Sequence, residues 1–372
     1  MESRRVRGIA FAAALAAVSA WASTRPARAE YFVQQNLVSN IAGNATFTDA
    51  SLKNPWGIAS SGTSPFWVSN QVTGNTTLYN TAGQPQALVV TIPGTPSTPP
   101  SGPTGQVFNS TTDFLLSNNA RATFIFANLN GSISGWNGAA GTTALVMAST
   151  PGSVYTGLGL ISNSTGNFLL AADDANGRID VFDGTFKATS LAGQFIDPTL
   201  PSGFKAYNVQ LVNGTVYVTY ESATGGGVVN AFDVNGNFLR RISLNGPGGP
   251  LQSPWGIAVA PNSFGTLGGK LLVGNHQDGR ISIFDPTSGA FLGQLSDQNG
   301  NPLSTPGLWG LRFGNGGNGG AANVLYFTAG INNGADGVFG SISAVPEPGS
   351  VVLLALGGLA LAAARFRRRS RP

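Results

Sequence analysis

A unit of about fifty residues recurs along this chain, and a repeat of that length leaves few folds open. Each unit reads as an apolar strand, a small polar turn, a second strand rich in Val, Leu and Phe, a Gly/Asn turn, and a third strand ending on an aromatic residue followed by Asn or Asp. One unit runs Pro55-Trp56-Gly57-Ile58-Ala59, then Phe66-Trp67-Val68-Ser69-Asn70, then Thr76-Thr77-Leu78-Tyr79-Asn80. Another runs Pro254-Trp255-Gly256-Ile257-Ala258, then Lys270-Leu271-Leu272-Val273-Gly274-Asn275, then Gly279-Arg280-Ile281-Ser282-Ile283-Phe284-Asp285. Third-strand ends fall at Tyr79, Trp136, Phe182, Phe232, Phe284 and Phe339, with spacings of 57, 46, 50, 52 and 55. The segments are short, β-branched or aromatic and punctuated by Gly and Asn, and no stretch between the two termini shows the period of an amphipathic helix. Six four-stranded units closing radially leave few open strand edges, so the pattern predicts an all-β, six-bladed β-propeller over 30–344.

The count also predicts how the ring closes. The sixth unit runs out after its third strand at Gly340-Ser341-Ile342. Near the other end, Phe32-Val33-Gln34-Gln35-Asn36-Leu37 matches Phe291-Leu292-Gly293-Gln294-Leu295, the outer strand that precedes a later Trp-Gly. Residues 31–38 are therefore expected to supply the outer strand of the last blade. Two stretches break the repeat and are read as loops. The run from Pro93 to Gly105 carries five prolines and predicts an extended excursion. Gly314-Asn315-Gly316-Gly317-Asn318-Gly319-Gly320 is read as a flexible linker, because it lacks the Lys-Ser/Thr of a phosphate loop.

Outside the repeats the termini carry address signals. Glu2 to Arg7 is a short basic region, Gly8 to Ala22 an apolar one, and Ala27-Arg28-Ala29 a cleavage site for signal peptidase, giving a signal peptide over 1–29. At 345–372, Val345-Pro346-Glu347-Pro348-Gly349 precedes an apolar run from Val351 to Ala364 and the cluster Arg365-Phe366-Arg367-Arg368-Arg369. Arginines hold the cytoplasmic side, which places everything before Pro346 across the inner membrane. Fourteen helical residues rise only about 21 Å against about 30 Å of hydrocarbon, which suits a transient anchor better than a permanent one. Removing both ends reverses the charge. The whole chain is +4, but 30–345 holds 10 basic and 14 acidic residues, net −4, and offers no footprint for nucleic acid. With no cysteine there is no disulfide or thiolate metal site, while 42% apolar residues suffice for a core.

The motif Pro346-Glu347-Pro348, the apolar run and the arginines Arg365, Arg367, Arg368 and Arg369, in that order, resemble the PEP-CTERM sorting signal of Gram-negative bacteria. The resemblance implies that exosortase, a membrane transpeptidase, cuts near the motif and passes the chain towards the cell surface. Together with repeats similar to those of NHL-type propellers, the chain resembles a family of exported bacterial propellers without an assigned activity. The implied function is a non-enzymatic binding or structural protein of the extracellular polysaccharide or biofilm layer.

Two rings of repeat-equivalent residues are candidate sites, since a propeller gathers single residues from several blades around its axis. Trp56, Trp255 and Trp309 share one slot and Tyr207 lies in the matching stretch of the fourth unit. They form either a collar that stacks on sugar faces or packing between blades. The second ring ends each second strand at Asn70, Asn128, Asp173, Tyr220, Asn275 and Ala329, with Asp174, Glu221 and His276 next in sequence to three of them. Asp173, Asp174, Glu221 and Asn275 offer oxygens to Ca²⁺, and similarity to calcium-dependent lactonases of this architecture implies an alternative function as a metal-dependent lactonase or lyase. Against it stands the habit of Asn and Asp to cap local turns. No catalytic constellation is announced: the single histidine, His276, has no partner motif, and neither a nucleophile elbow nor a His-Glu-x-x-His appears.

Overall fold

Residues 30–94 and 101–345 are described by a computed structural model. The signal peptide expected at 1–29, the tail from Pro346 onward and the centre of the proline-rich stretch lie outside the described residues. Six sheets are present: five are built from four sequential antiparallel strands, and the sixth combines strands from both ends of the described chain. The first blade comprises Pro55–Ala59, Phe66–Asn70, Asn75–Tyr79 and Pro85–Thr91. The inner strands of the following five are Pro103–Phe108, Tyr155–Asn163, Phe204–Val212, Pro254–Val259 and Leu308–Phe313, and all six pack against one another in cyclic order. The all-β, six-bladed propeller expected from the repeat is the fold observed.

Burial explains why these segments read as continuous apolar runs. The second and third strands of each blade are covered on both faces by the neighbouring blades, as in Phe124–Asn128 and Ser132–Trp136, where every residue is buried. Outer strands such as Pro85–Thr91 are largely exposed, with a single buried residue, Val90. Aromatics fill the gaps between blades: Trp67 of the first blade lies 4.2 Å from Phe124 and 4.8 Å from Trp136 of the second, ring centre to ring centre.

The ring closes as the sequence implies. Tyr31–Ser39 is the outer strand of the last blade, beside Val338–Val345. A short fifth strand, Phe47–Thr48, pairs parallel to it through Val38 and Ser39. Side chains lock the seam: Gln34 Nε2 donates to Thr305 Oγ1 at 2.9 Å, and Ser39 Oγ donates to Gly337 O at 2.9 Å.

Three expectations need correction. Pro103 to Gly105, read as the end of the proline-rich loop, open the inner strand Pro103–Phe108. The aromatic residue that opens the third-to-second strand pairing in five blades, as in Phe66 opposite Tyr79 or Leu271 opposite Phe284, has Ile342 as its counterpart in the last blade, opposite Leu325. Phe339 sits three residues earlier, opposite Thr328, where it stacks on Tyr79 and Tyr326. The Gly-rich stretch is likewise an ordered clasp and not a flexible linker. Asn315 Nδ2 donates to Ser61 O and Ser64 O at 2.8 and 2.9 Å, and its Oδ1 accepts the N–H groups of Gly317 and Gly319, tying the last blade to the first. Gly320, at φ +85°, leaves no room for a β-carbon, which would lie 2.4 Å from the Tyr326 ring.

Candidate axial binding site

Every inner strand carries a register irregularity near its start, between Pro55 and Ile58, Pro103 and Gln106, Tyr155 and Gly157, Ala206 and Asn208, Pro254 and Gly256, and Leu308 and Leu311. A bulge re-aims the side chain it carries. The re-aimed residues are Trp56, Thr104, Thr156, Tyr207, Trp255 and Trp309, so the four aromatics of the expected collar share one structural position. The residues that follow are Gly57, Gly105, Gly157, Asn208, Gly256 and Gly310, and here the backbones crowd the axis. A β-carbon on Gly57 would lie 2.6 Å from Thr104 O, and one on Gly310 would lie 2.7 Å from Trp56 O.

The collar is closed. Trp309 is sandwiched between Trp56, stacked at 3.5 Å and 17°, and the His276 imidazole, at 3.7 Å and 25°. Trp255 meets both tryptophans edge-on at 6.1 and 5.9 Å, and Tyr207 tilts against Trp309 at 5.8 Å. All four are buried, between 3% and 7% exposed, and Leu129 covers them further. Two indoles are anchored through their N–H groups, Trp255 to Thr156 O at 3.0 Å and Trp309 to Asn54 Oδ1 at 3.0 Å. Packing is across the axis, not only between adjacent blades, and no aromatic face is left open for a sugar.

Above this plug lies a half-buried ring made by the residues just past the Asn70, Asn128, Asp173, Tyr220, Asn275 and Ala329 positions: Gln71, Leu129, Asp174, Glu221, His276 and Gly330. Burial raises the Asp174 carboxyl, opposed by the Lys205 charge and aided by Asp173. Burial, with the neighbouring Asp174 charge behind it, pushes the Glu221 carboxyl up to about 7, against a hydrogen bond from Ser253 and the Lys205 charge. Burial takes His276 down to about 4, with backbone groups of Leu308 and Gly307 opposing, so the imidazole is neutral at pH 7. Tyr207 is raised well above its ordinary value by burial and then by the Glu221 and Asp174 charges, which ties the plug to the acidic side of the ring. A cavity of about 370 Å³ opens beside Glu221, walled by Ser253, Gln252 and Gln277. Three enclosed polar atoms of this axial stack have no protein hydrogen-bond partner: Trp56 Nε1, Asp174 Oδ1 and His276 Nδ1.

The four residues considered for Ca²⁺ do not share one role. Asp173 is fully buried and spent on its own loop, accepting from Ser153 Oγ at 2.8 Å, Val154 N at 3.1 Å and Asn176 Nδ2 at 2.7 Å. Asn275 does the same two blades on, accepting from Gln252 N at 3.1 Å and donating to Pro250 O at 3.0 Å. Only Asp174 and Glu221 remain directed to the axis, and two carboxylates fall short of the six to eight oxygens of a Ca²⁺ shell. Among the described residues no group of three or more His, Asp or Glu side chains is placed to hold a metal ion. The set does not fit the ion. His276, read from sequence as an isolated residue on a turn, is part of the site through its stacking on Trp309.

A six-bladed propeller with an axial polar ring and a C-terminal sorting signal defines the class, an exported propeller. The PEP-CTERM protein-sorting motif matches residues 344–369, which marks the chain for export, for transient membrane anchorage through its C-terminus and for exosortase-type processing. The chain belongs to the protein family that includes Uncharacterized protein R648 of Acanthamoeba polyphaga mimivirus, to which it is 30% identical over 332 residues, covering 82% of this chain and 78% of that protein. Uncharacterized protein L690 of the same virus is 29% identical over 334 residues, covering 82% and 84%. Among solved structures, an auxiliary nutrient binding protein from Bacteroides ovatus superposes with a TM-score of 0.56 over 85% of this chain and 78% of that one, at 10% identity, a likeness of fold.

Proposed function

We propose that this chain is a non-enzymatic, exosortase-sorted propeller that binds a hydroxyl-rich ligand, a glycan of the extracellular polysaccharide layer, on the polar ring around Asp174, Glu221 and His276. The observation that carries the reading is the set of orphaned atoms on one axis: an indole N–H, a carboxylate oxygen and a ring nitrogen, each enclosed and unpaired. Buried polar groups without partners are costly, and a hydroxyl both donates and accepts. Because the tryptophans are occupied by one another, recognition runs through hydrogen bonds above the plug and not through stacking on it. A glycan array probed with the full-length chain in detergent tests this. Binding to polysaccharide fragments that is lost in Glu221→Gln or Asp174→Asn supports it, and an array without hits overturns it. For the sorting half, deletion of 346–372 is expected to abolish delivery to the cell surface, and unchanged delivery would refute it.

One observation favours a second reading as a lyase or lactonase: Glu221, with its carboxyl near neutrality beside Asp174, is poised to exchange protons at physiological pH. The residues leave no complete shell for the metal that the alternative called for. Calorimetric titration of the full-length chain with Ca²⁺ separates the readings. No heat is expected, and sub-millimolar binding abolished by Asp174→Asn would favour the enzyme.

A further inference from the structure

Beneath the glycine ring, at the opposite mouth of the propeller from the polar ring, the axis opens into a second cavity of about 240 Å³. Its wall comes from all six inner strands and is mixed: glycine backbone and the polar side chains of Ser60, Gln106 and Gln210 alternate with an apolar strip of Ile58, Val107, Leu158, Leu160 and Leu311. Arg312 stands in this wall as its one charged side chain. In the other blades the position paired with the same point of the second strand holds Ala59, Val107, Gly159, Gln210 or Ala258, so the wheel closes five times without a charge here.

The guanidinium is held but not neutralised. Nε donates to Ser60 Oγ and Nη2 to Ser60 O, both at 3.1 Å, which leaves three of its five N–H donors free. No carboxylate among the described residues forms an ion pair with it. Burial alone lowers its proton affinity, with no neighbouring anion to restore it. A partly buried cation without a counter-charge carries a desolvation cost, and the fork of a guanidinium fits a carboxylate in two parallel bonds. Gln106 adds a polar point against the first blade: its Nε2 donates to Gly57 O and Trp67 O, while its Oε1 is buried without a partner.

We infer that this lower axial cavity is a binding site for a small monocarboxylate with an apolar body, its carboxylate on Arg312 and its hydrocarbon against Val107, Leu158 and Leu160. The site is independent of the polar ring, from which the glycine ring and the aromatic plug separate it.

The probes are hexanoate and benzoate, set against hexanamide, benzamide and inorganic phosphate, in thermal-shift and tryptophan-fluorescence titrations of the full-length chain in detergent. Trp255 also lines the cavity and serves as the reporter. At least one carboxylate is expected to bind saturably. Its amide should bind roughly 10- to 100-fold more weakly, the range of a lost charge-assisted pair. Arg312→Gln should lose binding to the same degree and Arg312→Lys should fall between, while Glu221→Gln on the other face leaves it unchanged. Should Arg312→Gln fail to fold, Leu211→Trp narrows the mouth from a side chain 36% exposed, and is expected to block binding with the free protein's melting temperature unaltered. No saturable carboxylate, an amide or phosphate bound as tightly, or full binding by Arg312→Gln or Leu211→Trp would overturn the assignment.

Discussion

Trp309→Ala tests the claim that the axis is closed by stacked rings. Trp309 is 3% exposed, lies between Trp56 and His276, and donates its indole N–H to Asn54 Oδ1. Truncating a buried tryptophan costs about 3–5 kcal/mol in transfer and cavity terms. The lost hydrogen bond leaves Asn54 Oδ1 short of a partner, about 1 kcal/mol more. Partial water entry from the polar face returns some of this, so we expect a loss of about 4 kcal/mol, a large share of a domain's ~5–15 kcal/mol. Urea unfolding followed by far-UV circular dichroism measures it. His276 supplies a second readout, being the chain's single histidine and therefore one resolved imidazole in an NMR titration. Its pKa, about 4 while the ring is stacked, should climb towards 6.5 once the indole is gone. A loss under about 1.5 kcal/mol, with His276 still titrating near 4, would refute the closed plug.

The carboxyl and the imidazole of the polar ring predict opposite pH effects. Glu221 has a folded pKa near 7, above its usual 4.5, so its contribution is fully present below 4.5 and lost as pH rises through 7. Glu221→Gln should therefore stabilise the chain at pH 8 and change little at pH 5, as read by urea midpoints. His276 is depressed instead, so its contribution is present above 6.5 and lost as pH falls through 4; His276→Phe should flatten the acid limb of the stability profile between pH 6.5 and 4. Gly310→Ala drives a β-carbon to 2.7 Å from Trp56 O of the first blade and 2.9 Å from Thr328 Oγ1 of its own, and we expect a destabilisation of about 1–3 kcal/mol by chemical denaturation.

Much of the architecture was legible because strand alternation and turn chemistry repeat with the blade. Residues 31–38 announced the closure by matching the outer strand at Phe291, and the Trp-Gly pairs marked inner strands. Legibility failed where one residue of register decides the outcome. Asp173 and Asp174 are sequence neighbours, yet the pleat turns the first into its own loop and the second towards the axis. Phe339 matched the aromatic pattern better than Ile342, but the pairing with Leu325 belongs to Ile342. Arg312 gave no signal at all, since its meaning comes from five other blades placing Ala, Val, Gly or Gln at the same height. The bulges that turn Trp56, Tyr207, Trp255 and Trp309 inward are also invisible in the residue pattern, although Gly after each tryptophan hinted at close backbone approach. The clasp at Asn315 was hidden by its composition, because seven residues of Gly and Asn look the same whether free or tied down.

The central claim is that recognition belongs to the polar ring and not to the tryptophans beneath it. The most direct measurement is calorimetric titration of the full-length chain with the best glycan from the array, for wild type, Glu221→Gln and Trp56→Phe, the last keeping an aromatic ring but removing the orphaned indole N–H. The account predicts saturable binding in wild type, loss of roughly tenfold or more in Glu221→Gln, and a smaller loss in Trp56→Phe that tracks one hydrogen bond. Binding untouched by Glu221→Gln, or no glycan bound by the wild type, would contradict it.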